Sequence, residues 1–132
     1  MQFVDTNVLL YSVSDDPGEA RKRDVAVAIL HGTDLALSVQ VLQEFYVQAT
    51  RRITHALAAR MIEGWLRYPV QDMTQPLLVA ALDIKARHRF SYWDSAIIAA
   101  AHALGCDKLL TEDLSHGRIV EGVAIVNPFR KG

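Results

Sequence analysis

Leu35-Ala36-Leu37-Ser38-Val39-Gln40-Val41-Leu42-Gln43-Glu44-Phe45-Tyr46-Val47-Gln48-Ala49 changes its period part-way through. Leu35–Leu37 is an apolar run with the length of a buried strand. Ser38 has the chemistry of a helix N-cap, because its hydroxyl can accept from an unpaired backbone N–H. Val41, Leu42, Phe45 and Ala49 then recur on one helical face. The stretch reads as a strand feeding straight into a helix that runs to about Arg51.

The same unit recurs outward in both directions. Gln2–Val4 reads as a strand, followed by a short helix at Asn7–Val13. Asp15-Asp16-Pro17-Gly18 is a turn, and Pro17 suits the start of a helix to about Leu30. Val25, Ala28 and Ile29 form that helix's inward face, and Gly32 ends it. Thr54 caps a helix to about Leu66, and Pro69–Asp72 is a weak strand. Thr74, with Pro76 behind it, opens a helix to about His88. Ser91 opens another to about Leu104, ended by Gly105. Lys108–Thr111 and Val123–Val126 are further short strands. Strands alternating with long helices predict an α/β fold: one domain over residues 1–132, with a central parallel sheet of four to five strands flanked by helices. Ligands of such sheets bind outside the carboxyl ends of the strands.

Composition narrows the class. A chain of 132 residues with 51% hydrophobic and 22% charged residues has the apolar content of a globular domain, not a disordered one. One cysteine, Cys106, excludes a disulfide scaffold. The longest apolar stretches, Leu77–Leu82 and Ala96–Ala101, fall far below the roughly 18–20 residues of a membrane span. No basic segment follows Met1, so the expected location is cytoplasmic, with no membrane partner. The net charge of −1 selects no partner by itself. Most of the basic residues are Arg, which grips phosphate in a bidentate fork. Four carboxylates gathered into one site would leave the remaining surface slightly basic.

Three acids lie at or beyond strand ends, and a fourth opens a helix. Asp5 follows Phe3-Val4, Glu44 is on the helix after Leu35–Leu37, Asp94 is in the first turn after Ser91, and Asp113 lies just past Thr111. Each has a plain structural role open to it: Asp5 and Asp94 in helix capping, Asp113 in a local turn, Glu44 on a solvated face. Asp94 fits its plain role least well. Its helix, Tyr92-Trp93-Asp94-Ser95-Ala96-Ile97-Ile98-Ala99-Ala100-Ala101, is apolar nearly all round. A lone buried carboxylate there costs several kcal/mol unless paired or metal-bound. Clustered carboxylates favour a hard divalent ion, Mg²⁺ or Mn²⁺, over Zn²⁺. Thr6, Asn7 and Thr111 lie at the same strand ends and are placed to orient carboxylates and waters, while Ser38 is expected to cap. Arg87 and Arg89, close before Asp94, are the preferred contacts to an RNA backbone, ahead of Arg51 and Arg52. Phe45 and Trp93 are expected in the core, and Tyr11 and Tyr46 fit either core or groove. No GxxxxGK[ST], GxGxxG or GxSxG occurs, which excludes the corresponding nucleotide and serine-nucleophile chemistries.

Phe3-Val4-Asp5-Thr6-Asn7-Val8-Leu9-Leu10-Tyr11, Leu42-Gln43-Glu44-Phe45-Tyr46, Ser91 to Ala101, Leu109-Leu110-Thr111-Glu112-Asp113-Leu114 and Val126-Asn127-Pro128-Phe129 resemble, in order, the motifs of PIN-domain ribonucleases. Length and compactness are most similar to VapC toxins of toxin–antitoxin pairs. The resemblance implies a metal-dependent endoribonuclease with Asp5, Glu44, Asp94 and Asp113 as catalytic and metal-binding acids around one or two Mg²⁺ or Mn²⁺ ions. It also implies tRNA or rRNA as substrate, a cognate VapB-like antitoxin and a homodimer. Asp113 is preferred over its neighbour Glu112 by the family pattern. The competing readings are a non-catalytic RNA- or partner-binding module of the same fold and a phospho-accepting receiver domain with Asp72 as acceptor.

Overall fold

The computed structural model describes residues 1–131. Its strands are β1 (Gln2–Val4), β2 (Leu35–Ser38), β3 (Val70–Gln71), β4 (Lys108–Leu110), β5 (Ile119–Val120) and β6 (Val123–Val126). Its helices are α1 (Thr6–Ser12), α2 (Ala20–Leu30), α3 (Val39–Ala49), α4 (His55–Trp65), α5 (Gln75–His88) and α6 (Tyr92–Ala103), with a 3₁₀ turn at Pro17–Glu19.

The strands form one sheet in the order β3-β2-β1-β4-β6-β5. All neighbours are parallel except β5 and β6. The sheet thus has a strand more than the sequence reading allows. The addition is β5, two residues long and antiparallel, joined to β6 through Glu121 (φ 53°) and Gly122 (φ 78°). Two consecutive left-handed residues make the tight turn whose twist matches a hairpin. In the chain β5 stands between β4 and β6 with no helix on either side, so the strand–helix alternation does not display it.

The sheet core comes from short, fully buried strands: Phe3 and Val4 of β1, Ala36 and Leu37 of β2, Leu109 of β4 and Ile125 of β6. Helix α6 is buried along one unbroken run, Ser95 to Ala101, and packs on β2, β4, β6 and α5. Ser38 caps α3 by accepting from the Val41 N–H, and Ser91 caps α6 by accepting from the Asp94 N–H. Two local expectations are corrected. The buried residues of α2 are Ala26 and Leu30, and Ala28 faces solvent. Phe45 is buried, but Trp93 is 57% exposed, because it stands in the first turn of α6, just before the buried run begins.

From β1 the chain moves to β2 and then β3 on one side, then returns through α5 and α6 to place β4 on the other side of β1. The strand order reverses between β1 and β4. A crevice opens at such a switch point, outside the carboxyl ends of the two strands. Asp5 directly follows β1, and Thr111 to Asp113 directly follow β4.

Candidate active site

Asp5 is buried, 5% exposed, at the carboxyl end of β1. Its Oδ1 accepts from the Thr6 N–H at 2.7 Å, and its Oδ2 accepts from the Thr111 hydroxyl at 2.8 Å. Burial lifts its pKa from 3.8 to about 6, against those two hydrogen bonds, and the charges of Asp113 and Glu44 push the same way. Asp5 therefore caps α1 and also stands in a common field with two other acids.

Thr6, on the next residue, donates its hydroxyl to Glu44 Oε2 at 2.8 Å. Asn7 Nδ2 donates to Thr111 Oγ1 at 3.0 Å and to Asp113 Oδ2 at 3.1 Å. Asp113 also donates its backbone N–H to Thr111 Oγ1. The three small polar residues read as supports thus join Asp5, Glu44 and Asp113 into one network across β1, α3 and β4.

Asp94 lies half-buried in the first turn of α6, and the network reaches that turn only at the backbone of its neighbour Trp93. Gln40, buried in the first turn of α3, donates to Glu44 Oε1 at 3.1 Å and to the Trp93 carbonyl at 3.3 Å. The sequence reading passed over Gln40. Its signal was the four-residue spacing from Glu44, which puts the two on one helix face.

Among the described residues, no three His, Cys, Asp or Glu side chains stand close enough to hold one ion. Each carboxylate of the network accepts from a protein donor, Asp5 from Thr6 and Thr111, Glu44 from Thr6 and Gln40, and Asp113 from Asn7. The donor set itself is all oxygen, and Asp5 is a buried carboxyl among like charges, so its chemistry fits a hard divalent cation.

A model of the PIN domain family matches residues 3–121. The chain belongs to the PIN domain family. No curated protein matches it in sequence. Solved structures share its fold. A toxin–antitoxin complex from Klebsiella pneumoniae is 18% identical, with a TM-score of 0.76 over 99% of this chain and 100% of that one. VapC20 of Mycobacterium tuberculosis, a toxin cleaving the sarcin-ricin loop, is 21% identical, with a TM-score of 0.67 over 83% of this chain and 87% of that one. FitAcB from Neisseria gonorrhoeae is 17% identical, with a TM-score of 0.68 over 99% of this chain and 100% of that one. A receiver domain is thereby ruled out. Asp72, its required acceptor, follows the edge strand β3, which β2 separates from β1.

Other residues of the PIN domain lie apart from the carboxylates. Glu112 accepts from Lys22 Nζ at 2.9 Å and from the Tyr11 hydroxyl, so it faces α1 and α2 while Asp113 faces Asn7. Burial pushes the Glu112 carboxyl up, but those two donors and the Lys22 charge outweigh it and hold it below 4.5. This cluster had no sequence signal, because Lys22 and Glu112 meet only in the fold. Arg87 pairs with Asp83 at 2.6 Å and with Glu121, at the turn before β6, at 2.7 Å. Arg89 caps α5 in the left-handed conformation, φ 62°. His102 Nδ1 bonds the Glu121 carbonyl, and Cys106 is buried. No helix among the described residues is long and apolar enough to cross a membrane.

Proposed function

We propose that this PIN domain, acting as one unit over the chain, is a Mg²⁺- or Mn²⁺-dependent endoribonuclease and the toxin of a toxin–antitoxin pair. The observation that carries this reading is the network joining Asp5, Glu44 and Asp113 at the switch point. It sits where an α/β sheet binds its ligand, and its charges act on one another. Asp5, Asp94 and Asp113 would hold one or two ions, with Glu44 as a further ligand or as the base that takes a proton from water. Bound Mg²⁺ or Mn²⁺ supplies a water of lowered pKa and neutralises charge building on the phosphate. Thr6, Asn7 and Thr111 keep the carboxylates in register. The products expected are a 5′-phosphate and a 3′-hydroxyl.

The substrate class proposed is structured RNA, tRNA or rRNA, in the cytoplasm. VapC20, of the same fold, cleaves the sarcin-ricin loop. Arg87 and Arg89 are the proposed backbone contacts. Arg89 is expected to contribute more, because Arg87 is tied to Asp83 and to Glu121, and Glu121 precedes β6 at the amino edge of the parallel strands, away from the carboxylates. A VapB-like antitoxin is the proposed partner. An apolar groove between α3 and α4, lined by Val39, Leu42, Tyr46, Val47, Ile62 and Leu66, supports helix-in-groove capture. Leu78, Val79 and Leu82, exposed on α5, support a homodimer.

Calorimetry with Mn²⁺ on wild type and Asp94→Asn tests the ion. Binding lost or much weakened in the variant is the expected result, and end-group analysis of cleaved RNA then tests the chemistry. Equal binding by both proteins would place the ion elsewhere. The competing reading, a non-catalytic RNA- or partner-binding module, draws support from the spacing of the carboxylates. It expects RNA binding that neither Mn²⁺ nor Asp94→Asn alters.

A further inference from the structure

Gln40 is 5% exposed, yet its side chain is an amide in an otherwise apolar part of α3, beside Val41 and Leu42. Burying an amide is costly unless its groups are paired. Both partners of Gln40 Nε2 are pure acceptors, Glu44 Oε1 at 3.1 Å and the Trp93 carbonyl at 3.3 Å. The NH₂ group must therefore face them, since a flipped amide would set its oxygen against a carboxylate and a carbonyl. Its two hydrogens reach two different helices. One goes to the carboxylate one turn further along α3, the other to the first turn of α6, next to Asp94.

Glu44 is thus held at both oxygens, by Gln40 on one side and by the Thr6 hydroxyl on the other. Thr6 ties it to the end of β1. Gln40 ties it to α6. Without Gln40 nothing among the described residues joins the Glu44 carboxylate to the helix that bears Asp94 by a hydrogen bond.

We propose that Gln40 is a positioning residue, whose amide fixes the Glu44 carboxylate relative to the first turn of α6 and thereby sets the affinity of the site for a divalent cation. The inference rests on the metal-dependent reading given above. Gln40 acts only through Glu44, and it touches neither ion nor RNA.

A double-mutant cycle with Mn²⁺ calorimetry tests it. Gln40→Met keeps the length of the side chain and removes both donated bonds. In the wild-type background it is expected to weaken Mn²⁺ binding about 10- to 100-fold, the usual cost of removing a group that orients a metal ligand. In a Glu44→Gln background the same change is expected to add no further loss, because the group it positions no longer binds the ion as a carboxylate. An unchanged affinity for Gln40→Met overturns the proposal. So does a loss of equal size in both backgrounds, which marks a general packing role. Wild type that binds no Mn²⁺ overturns the metal reading itself, and the proposal falls with it. If Gln40→Met fails to fold, as judged by its thermal melt, the wild-type amide gives the answer. The Gln40 Nε2 proton resonances are expected to shift on titration with Mg²⁺, and resonances that stay fixed while Mg²⁺ binds overturn the proposal.

Discussion

Asp5→Asn tests the electrostatics of the site with no RNA in the tube. The wild-type carboxyl is buried among like charges, and its pKa rises from an ordinary 3.8 to about 6. Between those two values the folded chain keeps a proton that the unfolded chain has released. Stability therefore falls as pH rises through that window and stays low above it. At about 1.4 kcal/mol per tenfold change in proton affinity, the charge costs the metal-free protein about 3 kcal/mol at neutral pH. Asparagine keeps the shape and removes the ionisation. It also turns an acceptor into a donor opposite Thr111 Oγ1, which already accepts from Asn7 Nδ2 and from the Asp113 N–H. That mismatch costs about 1 kcal/mol, at every pH alike. Urea unfolding of both metal-free proteins, followed by the fluorescence of buried Trp65, separates the two effects. Titrating groups that do not couple to Asp5 are common to both proteins and cancel in the difference. From about pH 4 to about pH 7.5 the stability difference should move by about 2.4 kcal/mol in favour of Asp5→Asn. Saturating Mn²⁺ should stabilise wild type at neutral pH and close most of that gap. A difference that stays flat across the window would refute the reasoning, because Asp5 would then be solvated or compensated rather than buried among like charges.

Two further predictions concern residues outside the carboxylate network. Lys22→Met strips Glu112 of its ion pair and should cost about 1 kcal/mol at neutral pH in urea unfolding, given that both side chains are partly solvated. Glu112 is held below its ordinary 4.5, so that contribution is present above pH 4.5 and should fade as pH falls through the lowered value. Arg89→Ala should lower the salt slope of RNA binding by about 0.7 to 0.9 units, and Arg87→Ala by less. Slopes unchanged in both variants would move the RNA path away from the α5–α6 junction.

How much was legible follows the range of the interactions. Every strand-to-helix unit shows locally, because a strand, a cap and a helical stripe are neighbours in sequence. Ser38 and Ser91 cap the helices they precede, and Val123–Val126 is a strand over its full predicted length. Sequence order alone also set Asp5 and Asp113 just past strands, and that was enough to name them as candidates. Trp93 misled, because its apolar character says nothing of whether a first helical turn has reached the sheet. β5, with no helix between it and either neighbouring strand, fell outside the alternation that marked the others.

What the sequence by itself determined is the alternating α/β architecture, the strand-end acids and the small polar residues beside them, all local in origin. Only the tertiary structure decided how they meet. The strand order put β1 beside β4, so that Asn7 spans Thr111 and Asp113 across more than a hundred residues of chain. The fold turned Glu112 to Lys22 and Asp113 to Asn7, a choice two adjacent acids cannot make for themselves. It brought Arg87 to Glu121 and the buried Gln40 amide to the Trp93 carbonyl. Such bonds depend on where distant backbone segments come to rest, and hydrophobic period and capping chemistry carry no record of that.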